Sequence, residues 1–261
     1  CRIHDFARPY LPSSPYIDDF AFESKKPLSE DHLWGPRDYF KGSFYKNSLC
    51  HFASETGYHG CPSPNSLKKF IPEDKLWPMF EENGNTVPEW QIHASCMETE
   101  MGVEFSYRIG LMADQVKTLF GSLPDNITTF AYMSQISQAE AKKYFIERFR
   151  ISKWRRTGIL WWNLLDGWPQ ISDAVVDYYF VKKLAYHYIK RSQSPLCLMC
   201  DEPKNNLLPL YAVNDTQYDT LLKYTVTRFS DNLVIAEGVF NAPHDSSCIV
   251  CNIPIKENEK D

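Results

Sequence analysis

Glu55 is the residue whose type and position best suit chemistry, because it ends a short apolar segment and precedes a group of turn-forming residues. Residues 48–53 contain neither Pro nor Gly, whereas Gly57, Gly60 and Pro62 follow closely. This pattern predicts a strand that ends in a loop, with a carboxylate at its end. In a barrel of alternating strands and helices, such strand ends carry the catalytic groups. A glutamate beside a glycine more often caps a turn or pairs with a cation, so the surrounding sequence must decide.

Aromatic and polar residues precede this strand in two loop segments. Residues 8–16, RPYLPSSPY, contain too many prolines for a helix or a central strand and are predicted to line a surface. His32 and Trp34 follow in the sequence DHLWG, directly before Pro36. An indole ring offers the flat apolar face on which a sugar ring stacks. These segments therefore bring aromatic and imidazole groups into the same part of the chain as Glu55.

Helices are predicted after Pro64. Apolar residues recur at helical spacing within 66–71, 95–120 and 128–150, and the last of these segments has the broadest apolar stripe. A helix with such a stripe must pack against a sheet.

A second buried strand and a further helix follow. Residues 157–169, TGILWWNLLDGWP, are apolar on both faces, which predicts a strand covered on both sides, as in a parallel sheet or barrel. Asp166 and Trp168 are predicted to build the loop after this strand, because Asp-Gly is first a turn signal. Residues 177–191 are predicted to form a helix. Arg37 and Asp38, earlier in the chain, are interpreted as a solvated ion pair.

From residue 194 onward the apolar period falls to two, which predicts a β-sandwich segment. The strands are expected near 196–200, 207–213, 219–229, 233–240 and 247–253. A domain boundary near 193 follows, with one domain at 1–193 and a second at 194–261.

Composition excludes two classes of partner. The 261 residues carry a net charge of −5 and no long basic run, so nucleic acid is not an expected partner. No stretch approaches the roughly 18 apolar residues of a membrane helix, so no membrane partner is expected. Seven Trp and fifteen Tyr exceed what core filling needs and fit stacking on sugar rings, although most of them are expected in the core.

Eight cysteines are too sparse for a disulfide scaffold in a chain of this length. Cys197-x-x-Cys200 and Cys248-x-x-Cys251 are two Cys-x-x-Cys units, so a zinc-stabilised β-module at 194–255 is one interpretation. Both units lie in strand-like runs without the Gly turn that zinc knuckles use. No metal or cofactor is therefore expected. The compartment stays open, although free cysteines favour the cytoplasm over secretion or the periplasm.

Several ordered motifs resemble one enzyme family. Residues 52–57, FASETG, resemble the nucleophile strand of glycoside hydrolase family 2. Four further segments resemble its β-mannosidase branch, and the resemblance covers about residues 8–200. They are RPY and PSSP within 8–15, HLWG at 32–35, YMSQISQAEA at 132–141 and the run from 158 through the helix that follows it.

This resemblance implies an α/β fold: the C-terminal half of a (β/α)8 TIM barrel, followed by a partial immunoglobulin-like β-sandwich. It also implies a retaining exo-β-glycosidase that hydrolyses terminal β-linked sugars, in the first place β-mannosides, with Glu55 as nucleophile. Trp34 and Trp162 are the candidates for a sugar-stacking wall, and Tyr58, His59 or His32 for a hydrogen-bond donor to Glu55. The substrate-binding candidates are Trp34, His32, Trp162, Tyr58, His59 and Asn163.

The sequence departs from the family pattern in ways that bear on the substrate. Asn163 and Leu165 stand where the family often has Gln and Asn, and Glu30 where an Asp often precedes the His-x-Trp. β-Glucosaminidase and β-galactosidase specificities therefore remain open within the family. A carbohydrate-binding pseudo-enzyme remains open outside it.

The family's second carboxylate, the general acid/base in an Asn-Glu pair, is not recognisable here. The only Asn-Glu pair is Asn258-Glu259, in the polar tail. The first residues also resemble the interior of a polypeptide more than a leader. We therefore expect the acid/base to lie outside this chain, in a missing N-terminal half of the same polypeptide.

The isolated 261 residues are expected to lack glycosidase activity, because a retaining mechanism needs both carboxyl groups. The assay is turnover of a nitrophenyl β-mannoside by the purified chain. Turnover that disappears on Glu55→Gln would contradict this expectation.

Overall fold

The computed structural model describes residues 3–24, 28–95 and 107–255. These residues form two compact units. The first is built from the described residues up to Phe145 together with Gly158–Ile189, and the second from Ile146–Thr157 and the described residues from Lys190 onward. The contacts thus assign Ile146–Thr157 to the second unit, and the sequence-based domain limits at 193 and 194 stay a prediction.

The first unit contains a parallel sheet of three strands: β1 (Glu30–Leu33), β2 (Phe52–Gly57) and β3 (Gly158–Trp162), in the order β1-β2-β3. The strand predicted at 48–53 begins at Phe52 instead. Glu55 therefore lies inside the carboxyl-terminal half of the central strand rather than beyond its end.

A β-bulge interrupts β2 at Ser54 and Glu55. Along β1, Asp31 pairs with Ala53 and the next residue, His32, pairs with Glu55, so Ser54 has no opposite residue. The pairing of β2 with β3 also leaves one extra residue on β2 at this place. One extra residue locally changes the direction of the strand and its side chains.

β3 is less covered than its sequence predicts. Leu160 is 57% exposed and Trp162 is 49% exposed, whereas the apolar run predicts burial on both faces. Among the described strands β3 pairs with β2 alone, so it forms an edge of this sheet. The prediction of a parallel strand is confirmed, and the prediction that it is buried is wrong within the described residues.

The helices agree with the sequence where the apolar stripe is long. The predicted helix at 128–150 is confirmed, whereas the one predicted at 95–120 is described only from Tyr107, and residues 96–106 lie outside the described residues. The short helix predicted at 66–71 begins earlier, at Pro64, because the Ser63 hydroxyl accepts a hydrogen bond from Ser66 N. The helices are α1 (Asp19–Ser24), α2 (Ser43–Lys46), α3 (Pro64–Leu67), α4 (Pro88–Ile92), α5 (Tyr107–Phe120), α6 (Ile127–Ile151) and α7 (Leu184–Ser192), with a 3₁₀ turn at Glu73–Lys75.

Helix α7 begins seven residues after the position predicted from sequence. The Asp177 carboxylate accepts hydrogen bonds from the backbone N–H groups of Tyr179 (2.9 Å) and Val181 (3.0 Å). Phe180 has a φ of 64°, in the left-handed region, which a right-handed helix cannot include. An Asp that bonds to its own following backbone favours a turn over a helix.

The core of the first unit lies between helices α5 and α6 and the segment after β2. Its largest fully buried side chains include Trp90, Phe130 and Met112. A second cluster is mainly aromatic and consists of Phe40, Tyr45, Tyr58, Ala141 and Phe145. Leu119, Tyr144 and Ile159 pack against this cluster.

Gln138 connects α6 to the residues beside the central strand. Its buried amide nitrogen lies 3.0 Å from the carbonyl oxygen of Tyr58 and 2.9 Å from that of Asp173. Gly60 leaves room for this amide, because a Cβ at Gly60 would lie 2.1 Å from Gln138 Oε1. The helix thereby fixes the backbone directly after β2 and in the segment that follows β3.

The described part of the second unit contains five strands that confirm the predicted ones within a few residues. They form two antiparallel sheets, with orders β4-β5-β8 and β6-β7. The strands are β4 (Leu196–Cys200), β5 (Leu207–Asn214), β6 (Thr220–Thr227), β7 (Val234–Ala242) and β8 (Ser246–Pro254).

The strand register separates the two Cys-x-x-Cys units. Cys200 of β4 and Cys251 of β8 pair with Leu210 of β5 from opposite sides. Two strand spacings place β4 and β8 roughly 9–10 Å apart, whereas thiolate ligands lie about 2.3 Å from a shared zinc. This register contradicts the zinc-stabilised module.

Asn214 is a buried polar residue at the end of β5. Its amide nitrogen donates to the carbonyl oxygens of Tyr218 (2.9 Å) and Ala242 (3.0 Å), and its Oδ1 accepts from Thr216 N (2.9 Å). All of its side-chain hydrogen-bonding groups are thus used inside the second unit.

None of the described helices has the length and apolar character that crossing a bilayer requires.

Replacing Gln138 by Leu is expected to lower the free energy of unfolding by about 1–3 kcal/mol, because buried carbonyl groups lose their donor. Urea denaturation measures the change. The control is Tyr132→Leu on the same helix, where the side chain is exposed and a change within about 0.5 kcal/mol is expected. Equal effects of the two substitutions would contradict the role of Gln138.

Candidate active site

A cleft in the first unit contains the carboxylate of Glu55. Its volume is about 430 Å³. Four of the six sequence-predicted site residues other than Glu55 lie in this region, namely Trp34, Trp162 and Asn163 in its wall and His32 beside Glu55. The lining residues are Trp34, Arg37, Glu55, Ser95, Arg108, Trp162, Asn163, Gln170, Ser172 and Asp173.

Two groups from β1 and the residues directly after it approach the Glu55 carboxylate. Trp34 Nε1–H donates to Glu55 Oε2 at 2.7 Å, and His32 Nδ1 lies 3.5 Å from the same oxygen. The sequence predicted a donor among His32, Tyr58 and His59. The indole N–H is the short contact, and Trp34 therefore orients the carboxylate as well as presenting a ring.

Trp34 can lie over the end of β2 because residue 57 is a glycine. A Cβ at Gly57 would come within 2.6 Å of the Trp34 ring and 2.9 Å of Asp173 Oδ1. The ring centroids of Trp34 and Trp162 are 6.5 Å apart, with the ring planes at 70°. Two indoles in this edge-to-face arrangement form an aromatic corner of the cleft.

Asn163 follows Trp162 directly and contributes an amide to the wall. Its amide nitrogen donates weakly to Leu165 O at 3.4 Å. Its Oδ1 is buried and has no hydrogen-bond partner in the described part of the chain. This amide therefore has an acceptor available beside the aromatic corner.

Tyr58 does not reach the cleft, contrary to the sequence-based expectation. Its ring packs against Phe40 and Phe145, and its hydroxyl donates to Asp38 O at 2.5 Å. Burial raises the pKa of this phenol. Tyr58 lies three residues after Glu55, and successive residues of an extended chain point to opposite sides, so its side chain enters the aromatic core instead.

His59 also lies away from Glu55. It is buried, with Nδ1 at 3.6 Å from Asp173 Oδ1. Burial lowers the pKa of His59 to about 4, and the negative charge of Asp173 opposes this only in part. Neither ring nitrogen has a hydrogen-bond partner within the described residues. At neutral pH His59 is an uncharged imidazole behind Asp173.

Arg37 is a cleft residue that the sequence interpretation missed. The predicted solvated pair with Asp38 is wrong, because Arg37 is only 7% exposed. Its guanidinium lies 5.2 Å from the centroid of the Trp34 ring and donates to Tyr107 Oη at 3.0 Å. Its backbone has a φ of 52°, and Gln115 Nε2 donates to its carbonyl oxygen. No sequence signal identifies a residue held this way.

The loop after β3 is built as the Asp-Gly signal predicts. Asp166 is buried, and its Oδ1 accepts from Ser172 Oγ at 2.5 Å and from Gln170 Nε2 at 2.8 Å. Burial raises the pKa of the Asp166 carboxyl group, against the opposing charge of Lys183. These bonds place Ser172 and Gln170 in the cleft wall.

Two buried lysines fix the strand ends beneath the cleft. Lys183 Nζ donates to Gly60 O at 2.6 Å, and Lys142 Nζ donates to Trp162 O. Burial lowers the pKa of both amines, that of Lys142 to about 8, while Asp173 acts in the opposite direction. Both amines therefore donate hydrogen bonds to carbonyl groups: Lys183 to Gly60 after β2, and Lys142 to Trp162 at the end of β3.

The arrangement suits attack by a carboxylate on a polyhydroxylated ring. Glu55 has an oriented oxygen, and the indoles offer stacking faces for such a ring. Asp173 is the other acidic residue in the lining, and it is 2% exposed. Within 3–24, 28–95 and 107–255 no three His, Cys, Asp or Glu side chains group closely enough to hold a metal ion.

Comparison with known proteins identifies β-mannosidases that are similar in sequence. The sequence matches no protein-family model. It is 35% identical to β-mannosidase B of Aspergillus niger over 202 residues, and this alignment covers 72% of this chain and 21% of that protein. It is 27% identical over 182 residues to the β-mannosidase of Capra hircus, which covers 67% of this chain and 19% of that protein. The chain thus spans about a fifth of the length of these relatives.

Solved structures agree with this result. The β-D-mannosidase of Dictyoglomus thermophilum superposes with a TM-score of 0.77 and 26% identity, covering 98% of this chain and 30% of that one. The exo-chitosanase of Amycolatopsis orientalis gives a TM-score of 0.63 at 18% identity, covering 87% and 27%. The second likeness concerns the fold alone.

The buried His59 is expected to make the first unit less stable in acid. Its folded-state pKa of about 4 lies below the ordinary value of about 6.5. The stability that depends on neutral His59 is fully present above pH 6.5 and is lost as the pH falls towards 4. The free energy of unfolding is expected to fall by about 2 kcal/mol between pH 7 and pH 5. Urea denaturation at the two pH values measures the loss.

His59→Gln should remove this part of the pH dependence, whereas His187→Gln, at an exposed position, should retain it. Identical pH dependence in wild type and His59→Gln would contradict the assignment.

Proposed function

Because this chain belongs to the β-mannosidase-like branch of glycoside hydrolase family 2, we propose that it supplies the nucleophile of a retaining exo-β-glycosidase acting on terminal β-mannosides. One observation carries the proposal. Glu55, on the central parallel strand, opens into an aromatic cleft with its Oε2 held by an indole N–H.

In the proposed reaction Glu55 attacks the anomeric carbon through Oε1, since Oε2 is engaged by Trp34. The bond to the leaving oxygen breaks as that oxygen receives a proton from a second carboxyl group. Water then hydrolyses the glycosyl ester, and the second carboxylate accepts the water proton. Trp34 supports this role because its N–H holds one carboxylate oxygen and leaves the other directed at the substrate.

The second carboxyl group is proposed to lie outside the 261 residues. A retaining pair needs a separation of about 5 Å and access to the leaving oxygen. Asp173 is almost completely buried against His59 and is a poor candidate for that contact. The chain's share of its relatives, about a fifth, leaves room for the residue elsewhere in such a protein.

We also propose that the first unit is the C-terminal half of a (β/α)8 barrel and the second a partial immunoglobulin-like sandwich. In the described residues β1 and β3 each pair on one side only. Closing a barrel pairs every strand on both sides. Strands from an N-terminal half would pair with these edges.

A second candidate is β-glucosaminidase activity, because a solved complex of the Amycolatopsis orientalis exo-chitosanase, whose fold is similar, contains PNP-β-D-glucosamine. An amino sugar would bring an ammonium group into the cleft, where Asp173 is too deeply buried to contact it. Arg37 and Arg108 line the same cleft and repel an ammonium group. This balance of charge favours the neutral mannoside.

The test uses the product of the complete coding sequence with nitrophenyl β-mannoside, β-glucosaminide and β-galactoside. Glu55→Gln is expected to lower kcat roughly 10³-fold or more. Trp34→Phe keeps a ring but removes the N–H, and kcat/KM should fall about 10- to 100-fold, as for loss of a charge-assisted hydrogen bond.

Trp154→Phe is the matched control, because that indole also donates, to Asp245 O at 3.1 Å, but lies outside the cleft lining. It should leave kcat/KM unchanged. Sugar binding without turnover would contradict the enzyme and support a binding protein. Turnover of the glucosaminide alone would reassign the substrate.

A further inference from the structure

A continuous chain of polar contacts leads from the protein surface to Glu55. Ser14 Oγ donates to Glu30 Oε1 at 2.6 Å, and Ser14 Oγ also lies 3.3 Å from His32 Nε2. His32 Nδ1 lies 3.5 Å from Glu55 Oε2. Tyr16 N also donates to Glu30, at 3.2 Å, and fixes that carboxylate. The chain connects the proline-rich segment, β1 and β2.

The order of donors along this chain restricts the proton on His32. A serine hydroxyl has one proton, and the short bond to Glu30 uses it. Ser14 can then only accept from His32, so His32 Nε2 must carry a proton. In a neutral imidazole the other nitrogen, Nδ1, is consequently a lone pair.

A lone pair on Nδ1 would face the carboxylate of Glu55 without attraction. The contact becomes a hydrogen-bonded ion pair only when Nδ1 is protonated as well. The register favours this pairing, because the bulge sets His32 directly opposite Glu55.

We propose that Ser14 and Glu30 are positioning residues that hold the His32 proton on Nε2, so that His32 supports the Glu55 carboxylate only as an imidazolium. The inference rests on the proposed function of Glu55 as nucleophile. It assigns a role to Ser14 of the proline-rich segment and to Glu30, the residue that departs from the family pattern.

The charges around His32 agree with this arrangement. The acidic groups that face it are Glu30 and Asp31 on β1 and Glu55 on β2, and the cation Arg37 stacks on Trp34. The hydrogen bond from Ser14 is the largest cause that lowers the pKa of Glu30, which keeps this carboxylate ionised as an acceptor.

The first experiment compares pH profiles of kcat/KM for the product of the complete coding sequence. In wild type, kcat/KM should be lower when His32 is neutral, because Nδ1 then offers Glu55 only a lone pair. In Ser14→Ala the neutral imidazole can move its proton to Nδ1, so the ratio of kcat/KM at pH 8 to that at pH 6 should rise about threefold or more.

Ser14→Thr keeps a hydroxyl and is the matched control, expected to retain the wild-type profile. Glu30→Gln should behave like Ser14→Ala, because an amide can donate to Ser14 and reverse the bond. A purely structural role would scale kcat/KM equally at all pH values. Parallel profiles for wild type and Ser14→Ala would overturn the proposal, as would a Ser14→Thr profile matching Ser14→Ala.

A second measurement does not depend on turnover. Long-range ¹⁵N–¹H spectra of the His32 imidazole, assigned by comparison with His32→Gln, report the tautomer of its neutral form. Wild type and Ser14→Thr should show Nε2–H, and Ser14→Ala should show a substantial Nδ1–H population. The same tautomer in all three would overturn the proposal. Absence of glycosidase activity together with the expected tautomers would refute the proposed function alone.

Discussion

The β-bulge in β2 is the constraint on which the cleft depends. A regular strand would carry Ala53 and Glu55 to the same face, and Ala53 is completely buried. The extra residue at Ser54 breaks this alternation and sets Glu55 opposite His32. Bulges are enriched beside functional sites because they redirect single side chains without dismantling the sheet. The partial exposure of Glu55 in an otherwise buried segment follows from this geometry.

Two buried lysines stabilise the segments at the carboxyl ends of β2 and β3. Lys142 and Lys183 direct buried ammonium groups at the carbonyl oxygens of Trp162 and Gly60. Burying a charge is unfavourable unless it meets polar partners, so Lys142 ties the end of β3 to α6, and Lys183 ties the residues after β2 to the segment that precedes α7. His59 stays neutral in the same region, because burial lowers its pKa and the positive charges of Arg37 and Arg108 act in the same direction.

The sequence predicted the parts of this arrangement that follow from local pattern. The long stripe of α6 and the alternating strands of the second unit have strong periodicity, and they are found where expected. Glu55, Trp34, Trp162 and Asn163 were also predicted as site residues, since their types suit the chemistry. Their catalytic and binding roles stay predictions.

The remaining features depend on contacts between residues distant in sequence. Periodicity does not reveal a bulge, and without it the face taken by Glu55 cannot be predicted. Arg37 is held by Gln115 and by its own left-handed backbone, so a residue that looked solvated lines the cleft. Asp177 shortened a helix through bonds to its own backbone, which competed successfully with the apolar pattern.

The buried amide of Asn214 has a consequence for how the protein can be produced. Asn214-Asp215-Thr216 has the form of an acceptor for N-linked glycan. Its nitrogen already donates to two carbonyl groups inside the second unit, and there is no space around it. A sugar attached there during synthesis would block closure of the β-strands around it. In a secretory route that attaches N-linked glycans, modification of Asn214 therefore competes with folding of the second unit. A host without that machinery avoids this competition.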